Sequence, residues 1–380
     1  MHPSFTVTAL GSRVRVEIEE GTIATAEFDE LLDLWEWCGS REAAGEPSAD
    51  AIVRRTVRDD DGTAAQDDAA WPASASFRSL ADRLSADVTG AAIENARGRL
   101  LMLHAAALAD PATGRVLAFV GPSGKGKTTV SHHLGHRLHY ISDETTGLTP
   151  ELLIEPYPKP LSLRLAADGR PKRQVAPASL GLLAADPRLY RLHRVVVLDR
   201  REDAPRHPLV RPLGITDALA AVTAEISHLR SLDVPLQRLA AACSAGGGAV
   251  RVTYRDADDL GGVLDELLGN GGIPPTWQAV DIEVAPDAPA SAEPSVRRLP
   301  VDDAVADEAG LAVFRDGVVH VLAGIGPAVW AAAGRVRTVR ELTASVVAEV
   351  GPPEGMDAEQ MVGAAVDELV TAGLLEWVTR

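Results

Sequence analysis

The chain has 380 residues, enough for two or three domains, and 46% of them are hydrophobic, which supplies ample core material. Its 54 acidic residues against 37 basic ones give a net charge of −17, which argues against a nucleic-acid partner, since a phosphate backbone is drawn to basic surfaces. The two cysteines, Cys38 and Cys243, are far apart and match no zinc or redox spacing, so a reduced, cytoplasmic setting is expected.

The N-terminal stretch "MHPSFTVTAL" has no basic region followed by an apolar run and does not read as a signal peptide. Alternation in "FTVTALGSRVRVEIEE" predicts a hairpin, and "FDELLDLWEWC" has helical spacing. Residues 41–72, with "RDDDGTAAQDD" toward their end, predict an exposed insertion or a mobile loop around a short strand, "AIVRRTV". Residues 76–98 read as a helix. From residue 99 strands and helices alternate as far as about 268, with buried strands at 115–120 and 194–199 and helices at 215–226 and 257–269. Five prolines between 271 and 296 mark a linker. Beyond it, "GLAVFRDGVVHVL" predicts a hairpin turning at Asp316-Gly317. Helices follow near 327–333, 338–350 and 358–372, and "LLEWVT" predicts a closing strand. The apolar stretch 317–334 is broken by Gly324-Ile-Gly-Pro327 and reads as strand–turn–helix, so no membrane span is expected. The resulting division is an N-terminal accessory region (1–94), an α/β P-loop domain (95–270), a linker (271–296) and a small C-terminal domain (297–380).

"GPSGKGKTT" (Gly121, Pro122, Ser123, Gly124, Lys125, Gly126, Lys127, Thr128, Thr129) is a complete Walker A motif between a buried strand and a helix. Such glycines let successive backbone N–H groups converge on one anion, and the helix that follows directs its positive end at it. Lys127 is placed to reach the transferring phosphate, and Thr128 to ligate Mg²⁺, so ATP and magnesium are expected. Two adjacent acids, Asp143 and Glu144, end the next strand, and His104 sits on the strand before the loop. Taken singly, a histidine on an apolar strand is commonly a core residue, and an acid pair is commonly a cap or turn. Asp199, ending the strand 194–199, reads as structural. His132, His133, His136 and His139 lie on or just after the loop helix, have no acid or cysteine completing a ligand set, and read as surface.

Together the histidine ("LHAAAL"), the short-spaced Walker A loop and the acid pair resemble the HPr kinase/phosphorylase-like family, over about 95–270. The resemblance implies a fold related to phosphoenolpyruvate carboxykinase, with a mixed sheet around the P-loop, and phosphorylation of a serine or threonine hydroxyl on a protein or peptide. It implies Asp143 as general base, His104 as its hydrogen-bond partner, and Glu144 as a magnesium ligand beside Thr128. It also offers Lys159 and Arg164 as phosphate or substrate contacts. The chain departs from the family in having Glu rather than Asp as its second acid, and in lacking the glycine-rich segment with its own metal-binding Glu. Phosphorylase activity and HPr as substrate are not carried over. An oligomer is implied by the family alone.

Residues 297–380, with the hairpin, Trp330 in "GPAVWAAA" and "TVRELTASVVAEV", resemble the PqqD-like peptide-recognition elements of ribosomal peptide biosynthesis. That implies a winged-helix-like domain that takes a leader peptide as an added strand, with Val319 and Val321 on the receiving strand. Residues 301–380 carry 13 acids and 5 arginines, a net of −8, which speaks against a DNA-binding winged helix. The combined expectation is a kinase acting on a ribosomally made precursor peptide. Two rivals stand beside it: a nucleotide-switched peptide chaperone and a small-molecule kinase.

Overall fold

The computed structural model describes residues 3–19, 23–41, 49–55, 75–163, 172–272, 274–284 and 293–378. Arg164 and most of the expected insertion lie outside them. The alternating N-terminus forms strands β1 (Ser4–Ala9) and β2 (Ser12–Ile18), joined at Leu10 and Gly11 with φ of 52° and 71°. Two successive positive φ values match the right-handed strand twist, and glycine supplies the second at no steric cost. Strand β3 (Ala51–Arg55) adds parallel to β2. Helix α1 (Thr25–Leu34) and the long helix α2 (Ala75–Ala96) supply Leu31, Leu80, Leu84 and Val88 to one apolar cluster with these strands.

A seven-stranded mixed sheet follows, built of β4 (Ala105–Ala109), β5 (Arg115–Val120), β6 (His139–Ser142), β7 (Leu183–Ala184), β8 (Arg191–Arg200), β9 (Leu209–Pro212) and β10 (Val250–Tyr254). Its order is β7-β6-β4-β5-β8-β10-β9. Strands β5, β8 and β10 are parallel, and β4 runs antiparallel to both β5 and β6. The C-terminal ends of β5, β6, β8 and β10 therefore share one edge with the start of β4. Strand β5 is buried along nearly its whole length, as its continuous apolar run requires of a strand covered on both faces. Helix α3 (Lys127–Leu134) places Val130 and Leu134 against Leu117, Phe119 and Val252 of the sheet. Each such fully buried aliphatic side chain contributes about 1.5–3 kcal/mol.

The chain divides into two compact units, and the division does not follow a single cut near 270–300. The second unit takes residues 213–224, 229–249 and 273–380, so it includes helices α4 (Ile215–Val222) and α5 (Pro235–Ser244), which the sequence reading assigns to the P-loop domain. Its larger sheet is β11 (Gln278–Ala279), β13 (Asp303–Asp307), β14 (Gly310–Arg315) and β15 (Val318–Leu322), in that order. Its smaller one is formed by β12 (Ser295–Arg298), the bridge segment Arg337–Thr338 and the closing strand β16 (Leu375–Val378). The β14–β15 turn has φ of 51° at Asp316 and 86° at Gly317, the conformation the Asp-Gly pair favours. Helices α6 (Gly326–Ala332), α7 (Val339–Val350) and α8 (Ala358–Thr371) bury Trp330, Leu342, Val346, Val362 and Val366 in one cluster. Thr338 caps α7: its hydroxyl accepts from the Glu341 N–H at 3.3 Å, and its own N–H donates to Glu341 Oε2 at 2.9 Å. The stretch 317–334 is divided between β15 and α6, and no helix among the described residues is long and apolar enough to cross a membrane.

Strand β13 serves α4 and α5 as an external cap. The Asp303 carboxylate, almost fully buried, accepts the Gln237 N–H at 3.0 Å and the Gln237 side-chain amide at 2.9 Å. Asp307 accepts the Thr216 N–H at 3.0 Å. Neither helix has a side-chain cap of its own. Asp303→Ala is therefore expected to cost about 1–3 kcal/mol, with Asp303→Asn recovering part of it. Urea denaturation gives the loss, and amide hydrogen exchange should rise first in 235–244. Unchanged exchange there would show that the helix does not rely on this carboxylate.

Candidate functional site

The site is assembled at the shared strand edge of the first unit. The loop 121–126 leaves the end of β5 and enters α3 through Gly124 and Gly126, whose φ values of 85° and 96° are open to glycine at no cost. A Cβ at Gly126 would stand 3.3 Å from the Tyr254 hydroxyl, which donates to the Lys125 carbonyl at 2.8 Å. Burial pushes the Tyr254 phenol up to about 12, so it stays a donor at neutral pH and ties the loop to the end of β10. The Lys127 ammonium is buried and donates to the Gly121 carbonyl, inside the curl of the loop. Burial lowers its pKa, opposed by Glu225, Asp143 and Glu144. The amide-rich curl, the ammonium within it and the helix N-terminus behind it together fit a polyphosphate.

Asp143 follows directly on β6 and is 4% exposed. Its Oδ2 accepts the Thr128 hydroxyl proton at 3.1 Å, while Oδ1 is buried without a hydrogen-bond partner. Burial raises its pKa from the ordinary carboxylate value, although Lys159 and the Ser131 and Thr128 hydroxyls pull the other way. A buried acceptor with an unused lone pair beside a threonine hydroxyl fits a divalent cation or a hydroxyl donor, both of which such an oxygen can bind.

Glu144 is half-exposed and points elsewhere. Its Oε2 lies 2.9 Å from the Lys159 ammonium, which is fully buried and also donates to the Ser85 hydroxyl of α2 at 2.9 Å. Burial alone would raise the Glu144 pKa, but the ion pair and hydrogen bond from Lys159 hold it below its ordinary value. His104, between the strand Leu101–Leu103 and β4, donates its backbone N–H to the Glu225 carbonyl at 2.7 Å. Burial lowers its imidazole pKa, helped by Lys127 and opposed by Glu144, so the ring is neutral at pH 7. The expected grouping, Glu144 beside Thr128 with His104 tuning Asp143, is thus not what the geometry shows: Thr128 meets Asp143, and the acids whose charges bear on His104 are Glu144 and Glu225. Lys159, expected as a phosphate or substrate contact, is paired here with Glu144 and Ser85.

Other expected residues lie apart. Asp199 accepts the Thr253 hydroxyl at 3.1 Å and pairs with Arg201 at 2.9 Å, a structural arrangement. His133 pairs with Asp258, and His132 packs edge-on against His133 and His136. Among the described residues no group of three or more His, Cys, Asp or Glu is gathered in a way that could hold a metal ion by itself. Magnesium at phosphate sites characteristically takes only one or two protein oxygens, the rest coming from water and phosphate. In the second unit Val319 is half-buried and Val321 is exposed, both on β15, the outer strand of its sheet. Sequence reasoning missed Ser85; no motif announces a partner 74 residues away.

No family model matches the chain, and no curated protein matches it. Among solved structures, the chain is similar to the Hpr(Ser) kinase/phosphatase from Coxiella burnetii at 15% identity and a TM-score of 0.24, over 44% of this chain and 93% of that one. A TM-score of that size carries no weight for a shared fold or activity.

The Lys159–Glu144 pair is asymmetric, because Lys159 is fully buried while the Glu144 side chain is 41% exposed. Glu144→Gln strands a buried ammonium, whereas Lys159→Met leaves a carboxylate that water can reach. Glu144→Gln is therefore expected to be the more destabilising of the two, and the double variant should recover stability relative to Glu144→Gln alone. Chemical denaturation of the three variants measures this. A larger loss for Lys159→Met would show that the ammonium's packing, not its charge, matters.

Proposed function

We propose that the first unit is an ATP-dependent kinase that transfers the terminal phosphoryl group to a serine or threonine hydroxyl, and that the second unit recruits the peptide carrying it. The observation that carries the reading is the Thr128–Asp143 contact of 3.1 Å with Asp143 Oδ1 buried and free, at the mouth of a complete phosphate loop. The loop amides and Lys127 bind and orient the phosphates. Asp143, with its raised pKa, is the stronger base of the acid pair and accepts the hydroxyl proton at Oδ1. Glu144 and the neutral His104 fix the acceptor beside it. Magnesium, when bound, neutralises charge on the phosphates, and the oxygens offered to it are Thr128 Oγ1 and those of the acid pair. Transfer of this kind needs little covalent help, so positioning and charge account for most of the rate.

Recruitment rests on β15. Among the described residues it pairs only with β14, which leaves its outer edge as the place for an added strand, and Val319 and Val321 lie two apart on one face. A peptide added there as a strand would be held by main-chain bonds and selected by these side chains.

Incubation with γ-labelled ATP, magnesium and a pool of extended Ser- and Thr-containing peptides should give acid-stable phosphopeptide. Lys127→Ala should abolish it. Asp143→Asn should lower turnover by about 10²–10⁴-fold with ATP affinity nearly kept. Label released only as inorganic phosphate would favour a nucleotide-driven switch, and transfer to free metabolites a small-molecule kinase. The magnesium requirement of Asp143→Asn and Glu144→Gln identifies the metal-side acid as the one whose removal raises it.

The pH profile follows from burial. Because Asp143 titrates above the ordinary carboxylate value, activity should be full above its pKa and fall as pH drops through it, at a higher pH than an exposed Asp would give. The residual rate of Asp143→Asn should lack this acid limb. An acid limb that persists in the variant would assign the proton to another group.

A further inference from the structure

We propose that the crevice beside the phosphate loop, on the side away from Asp143, holds the base and ribose of the donor nucleotide, with Arg255 stacked on the base and Glu202 on the ribose hydroxyls. This rests on the reading of the loop as a nucleotide site and adds the direction in which the nucleotide lies. The sheet order places β5, which carries the loop, between β4 and β6 on one side and β8 and β10 on the other. The reacting residues His104, Asp143 and Glu144 all come from the β4–β6 side. On the other side the parallel partners β8 and β10 end at the same edge, and open sheets bind ligands outside the carboxyl ends of such strands. There a cavity of about 580 Å³ opens between Ser123–Lys125 of the loop and Arg200, Glu202, Arg255 and Asp256. That lies within the roughly 300–1,000 Å³ typical of small-molecule sites. A second cavity of about 150 Å³ shares Arg200 and Asp256 with it and reaches Gly126 and Thr129, so the two run along the loop.

The side chains there divide into supports and groups left over. Arg200 is a support: its Nε donates to the Arg255 carbonyl at 3.0 Å, and its Nη2 lies 3.6 Å from Asp256. Among the described residues, the Arg255 guanidinium and the Glu202 carboxylate carry no hydrogen bond or ion pair. A planar guanidinium stacks on a heterocycle's face, and a carboxylate accepts two hydroxyl protons from a ribose. With the nucleoside on this side, the phosphates run across the loop and the terminal one ends beside Lys127 and Asp143. The opposite orientation would put the reactive phosphate beside Arg200 and Arg255, on the far side of the loop from Asp143.

The test compares Mg·ATP with Mg·tripolyphosphate, which has the phosphates and no nucleoside, by calorimetric titration of the full chain. The wild type is expected to bind ATP at least about tenfold more tightly than tripolyphosphate. Arg255→Ala should lower ATP affinity about tenfold and tripolyphosphate affinity less than about twofold, while Arg255→Lys keeps part of the ATP affinity. Lys127→Ala should weaken both ligands together. Equal weakening of both by Arg255→Ala would make the crevice a phosphate subsite and overturn the proposal, as would no effect on either. Binding of neither ligand by the wild type would overturn the nucleotide reading with it. ATP that binds with this pattern and transfers nothing would sink the kinase reading and leave the crevice assignment standing.

Discussion

The first unit is organised around one buried positive charge. The Lys159 ammonium has no water to solvate it, and a bare charge in that position would cost several kcal/mol. It is tolerated because three elements converge on it: Glu144 from the site, Ser85 from α2 and the Pro160 carbonyl from its own segment. Its backbone carbonyl in turn accepts the Tyr140 hydroxyl of β6 at 2.9 Å. The neighbouring Tyr157 stacks on Trp35 and shares a hydrogen bond of 2.9 Å with Thr89 of α2. The N-terminal layer is thus part of the wall that fixes the acid pair. Moving α2 would release the lysine, and with it the carboxylate that the lysine holds charged.

This arrangement also separates two adjacent carboxylates. Both cannot stay ionised side by side without compensation. Glu144 takes the lysine and is held low, while Asp143, sealed in beside the Thr128 and Ser131 hydroxyls, is held high by burial. Two residues joined by one peptide bond are thereby shifted in opposite directions from their ordinary values. The difference is set by which of them the chain turns inward at the end of β6.

Much of the site was readable in the sequence because it is built from contiguous residues. A phosphate loop binds through backbone, so its glycine spacing survives any change of surroundings, and 121–129 could be read directly. Asp143, Glu144 and His104 stood out because they sit where apolar strands end. The pairing of these residues was not readable. Lys159 and Ser85 are brought together by a helix and a loop 74 residues apart, and nothing local in "PYPKP" marks a buried ion. Helix α5 went unread although Leu236, Leu239, Ala240 and Cys243 repeat at helical spacing after a proline at its first turn. Within 257–269 only Leu264–Leu268 is α-helical, the preceding Ala257–Val263 being 3₁₀, where Gly261 and Gly262 weaken the α-helix. Membership of α4 and α5 in the second unit was hidden for a different reason. An apolar stripe tells that a helix is covered, and not which sheet covers it.

That membership gives the chain an order of events during synthesis. Helices α4 and α5 are complete at Ser244, but Asp303 and the strand that caps and covers them lie 59 residues further on. At about 5–20 residues per second the ribosome takes roughly 3–12 s to supply it. Over that interval Leu219, Val222, Leu236 and Leu239 have no sheet to pack on, while β10, made early in it, can close the sheet of the first unit. A chain that stopped in the proline-rich stretch would keep its phosphate loop and carry a permanently uncovered pair of greasy helices. Truncation in that stretch therefore removes the sheet that covers the apolar faces of α4 and α5.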